Sequence, residues 1–163
     1  MEQGQEKGNS MSALGMIAYL FGCFVIGAIL TLIVSIFRSV KNHDNFRSWR
    51  YMVVFGLLVS FAPYVYAESL TKMNGAGMEK AVERTVKQAK IKGEAKFFRV
   101  TKVDESRAEI IIVAKEKTTT NDSESCVLRA ELVKKKGKWV PKSYEFIDSF
   151  DRGKDGMTFP PYW

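Results

Sequence analysis

Histidine and cysteine are scarce in this sequence, and their scarcity excludes several kinds of chemistry. The chain of 163 residues has one histidine, His43, and two cysteines, Cys23 and Cys126. Because no histidine follows His43, the C-terminal region lacks the usual general base for a serine or cysteine nucleophile. The sequence also lacks an HExxH motif, a paired-cysteine spacing and a glycine-rich phosphate loop. It therefore predicts a protein that is not an enzyme, with no catalytic residue, no metal site and no cofactor.

Charge is absent from two long stretches near the N-terminus. Leu14 to Phe37 is an uncharged apolar run, and about 20 such residues suffice for a helix to cross a bilayer. The second run, Tyr51 to Ala67, is near the lower length limit and carries Pro63, which is expected to kink its last turn. The two runs predict a transmembrane hairpin over residues 14–67, with helices 14–37 and 51–67 and a connector 38–50. The polar tail 1–13 is expected to be disordered.

Basic residues are distributed unevenly around these runs. The connector contains four arginine or lysine residues, whereas the tail 1–13 contains only Lys7. Positive-inside bias therefore places the connector in the cytoplasm and both termini outside it, with a bacterial inner membrane as the expected location. An alternative is that the second run is a secretory signal that is cleaved after Ala67, which would release the rest of the chain.

Small residues recur along the two predicted helices at spacings that allow close helix packing. Such residues let backbones approach closely, and hydroxyl groups add hydrogen bonds. They are expected either to pack the two helices against each other or to form a groove for another membrane subunit. The candidate packing residues are Gly15, Ala18, Gly22, Gly27, Thr31, Ser35, Gly56 and Ser60.

Residues 68–77 are predicted to be a linker that leads into an α+β domain over residues 78–149. Met78 to Lys92 has an apolar stripe at helical spacing, and Gly93 is positioned to end the helix as a left-handed cap. Alternating segments from Lys96 to Asp148 then predict a curved, four-stranded antiparallel meander. Pro141 is expected at an edge or a bulge, because proline donates no ladder hydrogen bond.

Aromatic side chains in the domain and in the tail 150–163 suggest two further sites. Phe97, Phe98, Trp139, Tyr144 and Phe146 are candidate walls of an apolar ligand pocket between helix and sheet. The tail contains glycines and prolines and is predicted to be irregular. Its aromatic residues Phe159, Tyr162 and Trp163 are expected to lie over the domain or the membrane surface, or to dock on a partner.

The helix EKAVERTVKQAKIKG and the hairpin LRAELVKKKGKWVPKSYEFI resemble small helix-plus-meander domains of the cystatin-like and nuclear-transport-factor-like type. They are also similar to membrane-tethered domains of the group that holds cytochrome-oxidase assembly factors and a mitochondrial inner-membrane translocase subunit, where a Gly-Lys-Trp turn opens a strand. The resemblance covers Met78 to Asp148. It implies an extracytoplasmic scaffold or assembly role, as in the membrane-anchored component of type IV secretion systems. A second spanning helix and a shorter domain depart from that pattern, so no partner and no site residue is carried over.

The net charge of +7 does not indicate nucleic-acid binding, because the connector supplies four positive charges and the signs alternate elsewhere. The sequence instead predicts a non-enzymatic, membrane-anchored accessory, scaffold or assembly subunit of a membrane protein complex. Its expected partners are the lipid bilayer and integral membrane proteins that contact the hairpin. The alternative is an extracytoplasmic domain that binds a small ligand, anchored to the membrane or released after Ala67.

Overall fold

A computed structural model describes residues 6–37, 48–117 and 123–162. Helices α1 (Glu6–Ile36) and α2 (Ser48–Asn74) come first, followed by a 3-10 turn (Gly75–Gly77) and helix α3 (Glu79–Gln88). Strands β1 (Ala95–Val103), β2 (Arg107–Lys117), β3 (Ser123–Lys135) and β4 (Lys138–Ser149) come next. A 3-10 turn (Phe150–Arg152) and strand β5 (Lys154–Asp155) complete the order. The architecture is α+β, as predicted.

The chain forms two compact units, which we describe separately. Of the described residues, those up to Tyr64 and Phe159–Tyr162 form the first, the helical unit, and those from Val65 to Thr158 form the second, the sheet unit. The boundary falls inside α2 rather than in a linker. Most of the predicted connector lies outside the described residues, as do His43 and Trp163.

Helix α2 replaces the predicted linker. It continues through Pro63 and ends at Asn74, seven residues beyond the predicted end. An ion pair between Glu68 and Lys72 at 3.5 Å joins successive turns of this extension, and such i, i+4 pairs stabilise helices. The chain turns only at Gly75–Gly77. Helix α1 likewise begins at Glu6 rather than Leu14, so part of the tail that was expected to be disordered is helical.

Helix α3 ends earlier than predicted because Lys90 adopts the left-handed conformation. Its φ angle is 55°, and the N–H groups of Lys90 and Ile91 donate to the carbonyls of Lys87 and Val86. This pair of bonds is the Schellman motif that ends many helices. The prediction that Gly93 caps this helix is therefore wrong. A Cβ atom at Gly93 would clash with the carbonyl oxygen of Lys115 on β2, so glycine is needed there for a close approach between chain segments.

The sheet is an open antiparallel meander in which strand order follows chain order, β1-β2-β3-β4-β5. The prediction of four strands missed β5, whose two residues pair with Ser149 and Asp148 of β4. Gly153, with a φ angle of 58°, lets the chain reverse after the second 3-10 turn and return along the end of β4. A strand of two residues has no periodicity that a sequence pattern could reveal.

The hydrophobic core lies between α3 and one face of the sheet, which we call the helix face. The predicted apolar stripe of α3 and the alternating positions of β2 and β3 are buried, as expected. Ile111 and Val113 of β2 are buried too, at 3% exposure each, although they project from the opposite face. The helix-face core contains Met78, Ala81, Val82, Val86, Val100, Ile110, Ile112, Cys126, Leu128 and Leu132.

Both edges of the sheet are modified. At the β1 edge, the N–H of Val100 donates to the hydroxyl oxygen of Thr71 on α2, at 2.8 Å. At the β4 edge, the register shifts between Glu131 and Leu132 so that Lys142 forms a bulge next to Pro141. The expectation that Pro141 lies at an edge or bulge is therefore met.

Candidate functional site: the helix pair and its aromatic cluster

Helices α1 and α2 are in close contact at Gly27 and Gly56. A Cβ atom at Gly27 would lie 2.6 Å from the backbone N of Gly56 and 2.8 Å from the carbonyl oxygen of Met52. A Cβ atom at Gly56 would lie 2.9 Å from the ring of Phe24. Only glycine at these positions permits this separation of the backbones.

The contact continues along a stripe of α1 in which every fourth residue is buried: Tyr19, Cys23, Gly27 and Thr31. The Tyr19 hydroxyl donates to the carbonyl oxygen of Ser60 at 2.8 Å, and the Thr31 hydroxyl donates to that of Gly27. In the sequence Tyr19 interrupts the small residues, and only its position four residues before Cys23 indicated that it belongs to the stripe.

The remaining packing candidates divide between this contact and the exposed surface. Ser60 is buried against α1, whereas Gly15 and Ser35 are half-buried. Ala18 is exposed, and a Cβ atom at Gly22 would meet nothing within 4 Å. The structure therefore brings Gly27, Thr31, Gly56 and Ser60 together and leaves Ala18 and Gly22 on an open side of α1.

Most of the apolar surface of the two helices is exposed. The segments Ala13–Ile36 and Trp49–Gly77 are long and apolar enough to cross a membrane, and only 22% and 17% of their most apolar stretches are buried. Phe21 is 72% exposed and Phe61 is 61% exposed. A helix in the core of a water-soluble protein would bury such side chains.

Four aromatic side chains form a cluster on the helix pair. The rings of Tyr19 and Tyr64 are 6.3 Å apart, that of Phe159 is 5.4 Å from Tyr19, and that of Tyr162 is 5.7 Å from Tyr64. All three contacts are edge-to-face, the geometry that aromatic quadrupoles favour. Two of the predicted tail residues, Phe159 and Tyr162, thus pack against this chain's own helices.

The predicted pocket walls do not surround a common space. Phe98, Trp139 and Phe146 pack against the helix-face core. Phe97 is opposite Val113 in the register and projects from the other face. Tyr144 stacks edge-to-face on Phe146 at 5.9 Å, and its hydroxyl donates to the carbonyl oxygen of Gln88. Apart from Phe97, these aromatic residues complete the packing of α3 on the sheet.

A concavity of about 520 Å³ is lined mainly by charged side chains. Most of them project from the face of the sheet that is opposite the helix face. Arg129 pairs with Glu109 at 3.2 Å, and Lys142 pairs with Glu131 at 2.9 Å. The hydrogen bond from Lys142 lowers the pKa of Glu131. Because these side chains are largely exposed and already paired, the surface is typical of a solvated network of ion pairs.

A buried polar cluster links the end of β2 to the second 3-10 turn. The Arg152 guanidinium donates to the carboxylate of Glu116 at 2.6 Å and to the carbonyl oxygen of Ala89 at 3.4 Å, and it stacks on Phe146 at 4.1 Å. The Glu116 side chain is only 8% exposed. Sequence analysis missed the cluster, although Glu116 continues the alternation that places Ala114 in the core.

Cys126 lies beside this cluster and is 1% exposed. Burial is the main reason that the pKa of its thiol is raised to about 11. The thiol is therefore protonated at neutral pH, and a protonated thiol is a poor nucleophile and metal ligand. In the described parts of the chain, no three His, Cys, Asp or Glu side chains are grouped so that they could hold a metal ion.

No family model, curated protein or solved structure matches this chain. The resemblance to cystatin-like and nuclear-transport-factor-like domains therefore stays a prediction. The helix pair, with its close glycine contact, exposed apolar surface and aromatic cluster, is the candidate functional site.

Proposed function

We propose that this protein is a non-enzymatic, membrane-anchored accessory, scaffold or assembly subunit of a membrane protein complex. The main observation in support of this proposal is that α1 and α2 bury one narrow stripe against each other and expose the rest of their apolar surface. Lipid chains and the helices of a partner are the two environments that cover such a surface without cost. The proposal places the sheet unit outside the cytoplasm, following the charge bias of the connector.

The open side of α1 at Ala18 and Gly22 favours a partner helix. Small residues already bring α1 and α2 together at Gly27 and Gly56, so the Ala18–Gly22 pair is not required for that contact. A partner helix could approach the α1 backbone closely there, because no side chain of the described chain fills the space beside Gly22.

The ligand-binding alternative has less support. Its proposed walls pack in the core or project from different faces of the sheet. Cleavage after Ala67 would require a peptidase to reach a bond inside helix α2, where Ala67 is fully buried. Proteolytic sites are usually in exposed, irregular segments.

The test is a pull-down of the tagged, full-length protein from membranes in mild detergent, with mass spectrometry of the bait and of any co-purifying proteins. We expect an intact bait and an integral membrane protein in stoichiometric amount. The variant Gly22→Ile fills the open side of α1 and should reduce recovery of that protein. Val25→Leu, at an exposed position of the same helix, should not. A monomeric bait without a partner would refute the subunit proposal, and a bait that begins at Glu68 would support the released form.

A further inference from the structure

The C-terminal segment Phe159–Tyr162 belongs to the helical unit rather than to the sheet unit that precedes it. The chain leaves the sheet after β5, where the N–H of Gly156 donates to the carbonyl oxygen of Ile147 at 2.8 Å. Three residues later, Phe159 stacks on Tyr19 of α1. The segment therefore ends on the same two helices that carry the exposed apolar surface.

The segment contacts both helices. The Tyr64 hydroxyl on α2 donates to the carbonyl oxygen of Pro161 at 2.8 Å, and the ring of Tyr64 stacks on Tyr162. Pro161 is buried. Phe159, in contrast, is 73% exposed, although its ring contacts that of Tyr19. The contacts hold the backbone in place and leave the Phe159 ring turned outward.

The helix residues near Tyr19 and Tyr64 in the sequence are apolar and exposed. On α1, Ile17 is 65% exposed and Leu20 is 40% exposed, and on α2, Phe61 is 61% exposed. These residues lie within three positions of Tyr19 or Tyr64 in the sequence. Phe159 therefore stacks on a helix whose exposed side chains are apolar, the kind of surface that the proposed function assigns to lipid.

The composition of the segment suits the boundary between headgroups and acyl chains. No charged residue occurs after Asp155. Pro160 and Pro161 have no backbone N–H, so two donors that would need a partner at low water content are absent. Tyrosine concentrates at this boundary, because its hydroxyl stays hydrated while its ring is buried, and Tyr162 is such a residue.

We propose that Phe159–Tyr162 is a third, non-helical membrane attachment, which inserts Phe159 into the lipid interface beside Tyr19 of α1 and Tyr64 of α2. This inference rests on the proposed membrane hairpin. It assigns the aromatic tail to lipid rather than to a protein partner. The sheet unit is consequently tethered to the membrane by both of its ends.

The test uses single-tryptophan variants of the full-length protein in vesicles that contain lipids brominated at a shallow or a deep acyl position. Trp49, Trp139 and Trp163 are replaced by phenylalanine, and one tryptophan is introduced as Phe159→Trp, Phe150→Trp or Ile29→Trp. Phe150 is an exposed phenylalanine of the sheet unit, at 61%, and Ile29 lies inside the apolar span of α1, seven residues from its end, at 52%. Circular dichroism checks that each variant is folded.

We expect shallow bromines to quench Phe159→Trp several-fold more than Phe150→Trp, and deep bromines to quench Ile29→Trp most. If Ile29→Trp is quenched but Phe159→Trp is quenched no more than Phe150→Trp, the third attachment is refuted and the hairpin stands. If Ile29→Trp is not quenched either, the membrane hairpin itself is refuted. In a second measurement, Phe159→Asp in the otherwise natural chain should make the bond after Met157 several-fold more sensitive to protease in vesicles, whereas Phe150→Asp should not.

Discussion

Gly27 and Gly22 are both glycines of α1, but their surroundings differ completely. The first faces the backbone of α2, and the second faces open space. An added methyl group at Gly27 must push two helix backbones apart, because backbone atoms cannot move aside as a flexible side chain can. The same methyl group at Gly22 meets nothing and only restricts the unfolded backbone.

We therefore predict opposite effects of the same substitution. Gly27→Ala should lower the stability of the helix pair by about 1–3 kcal/mol, the usual cost of overpacking. Gly22→Ala should leave it unchanged or raise it by up to about 1 kcal/mol, from helix propensity. The measurement is the SDS fraction at which helicity is lost in mixed micelles. Equal effects of the two substitutions would contradict the close contact.

Asp148 is a carboxyl whose environment is unfavourable to its charge. It is partly buried, and its neighbour across the β4–β5 ladder is Asp155. Burial is the main reason that its pKa is raised, and the negative charges of Asp155 and Glu124 add to the effect. A pKa that is higher in the folded than in the unfolded chain means that the anion destabilises the fold. The free energy of unfolding therefore falls as the pH rises through that pKa.

Asp148→Asn should consequently stabilise the sheet unit at pH 7, and the gain should disappear as the pH falls below about 4, the ordinary pKa of an aspartate in an unfolded chain. Urea unfolding of the full-length protein in detergent, followed by far-ultraviolet circular dichroism, measures this. Glu131→Gln is the control of opposite sign, because the hydrogen bond from Lys142 lowers the pKa of Glu131. Glu131→Gln should destabilise the sheet unit at pH 7, and this effect should disappear in acid, where Glu131 is protonated. If Asp148→Asn lowered the stability at pH 7, the conclusion that the Asp148 anion destabilises the fold would be contradicted.

At the scale of elements, periodic segments could be predicted from the sequence and their ends could not. The stripe of α3 and the alternation of β2 and β3 are determined by burial on one face, which leaves a regular pattern. The end of α3 at Lys90 depends on a left-handed residue that is not glycine. The extension of α2 to Asn74 and the short strand β5 depend on tertiary contacts. The helix contact was predicted from small residues, but the role of Tyr19 and the pairing of Arg152 with Glu116 needed the fold.

Arg152 connects three elements, since it contacts Glu116 of β2, Phe146 of β4 and the carbonyl of Ala89 after α3. Arg152→Met keeps much of the packing but leaves the Glu116 carboxylate buried without its cation. We expect the free energy of unfolding to fall by about 3 kcal/mol. This value is at the lower end of the range for breaking a buried ion pair, because the Arg152 side chain is 27% exposed.

The control for Arg152→Met is Arg129→Met, which breaks an exposed pair and should cost less than about 1 kcal/mol. Adding Glu116→Met to Arg152→Met should restore most of the stability, since no charge then stays buried. Urea midpoints of the full-length protein compare all three variants. A double variant as unstable as Arg152→Met alone would show that the loss comes from packing rather than from the unpaired charge.

At the scale of the whole molecule, orientation in the membrane is predicted from charge alone. Single cysteines introduced by Ser39→Cys in the connector or Lys80→Cys on α3, with Cys23 and Cys126 replaced by alanine, test it. A membrane-impermeant maleimide should label Lys80→Cys in intact cells and Ser39→Cys only after permeabilisation. Labelling of Ser39→Cys alone in intact cells would reverse the topology.

The modified edges of the sheet affect how copies of the protein behave when they are crowded together. An open sheet exposes rows of unpaired backbone groups, which invite strands of another molecule and start fibrous aggregates. Here the Thr71 hydroxyl occupies a donor of β1, while Pro141 and the Lys142 bulge interrupt the row on β4. These features disfavour the addition of a strand from a neighbouring copy at either edge, even where the sheet unit is present at high local density.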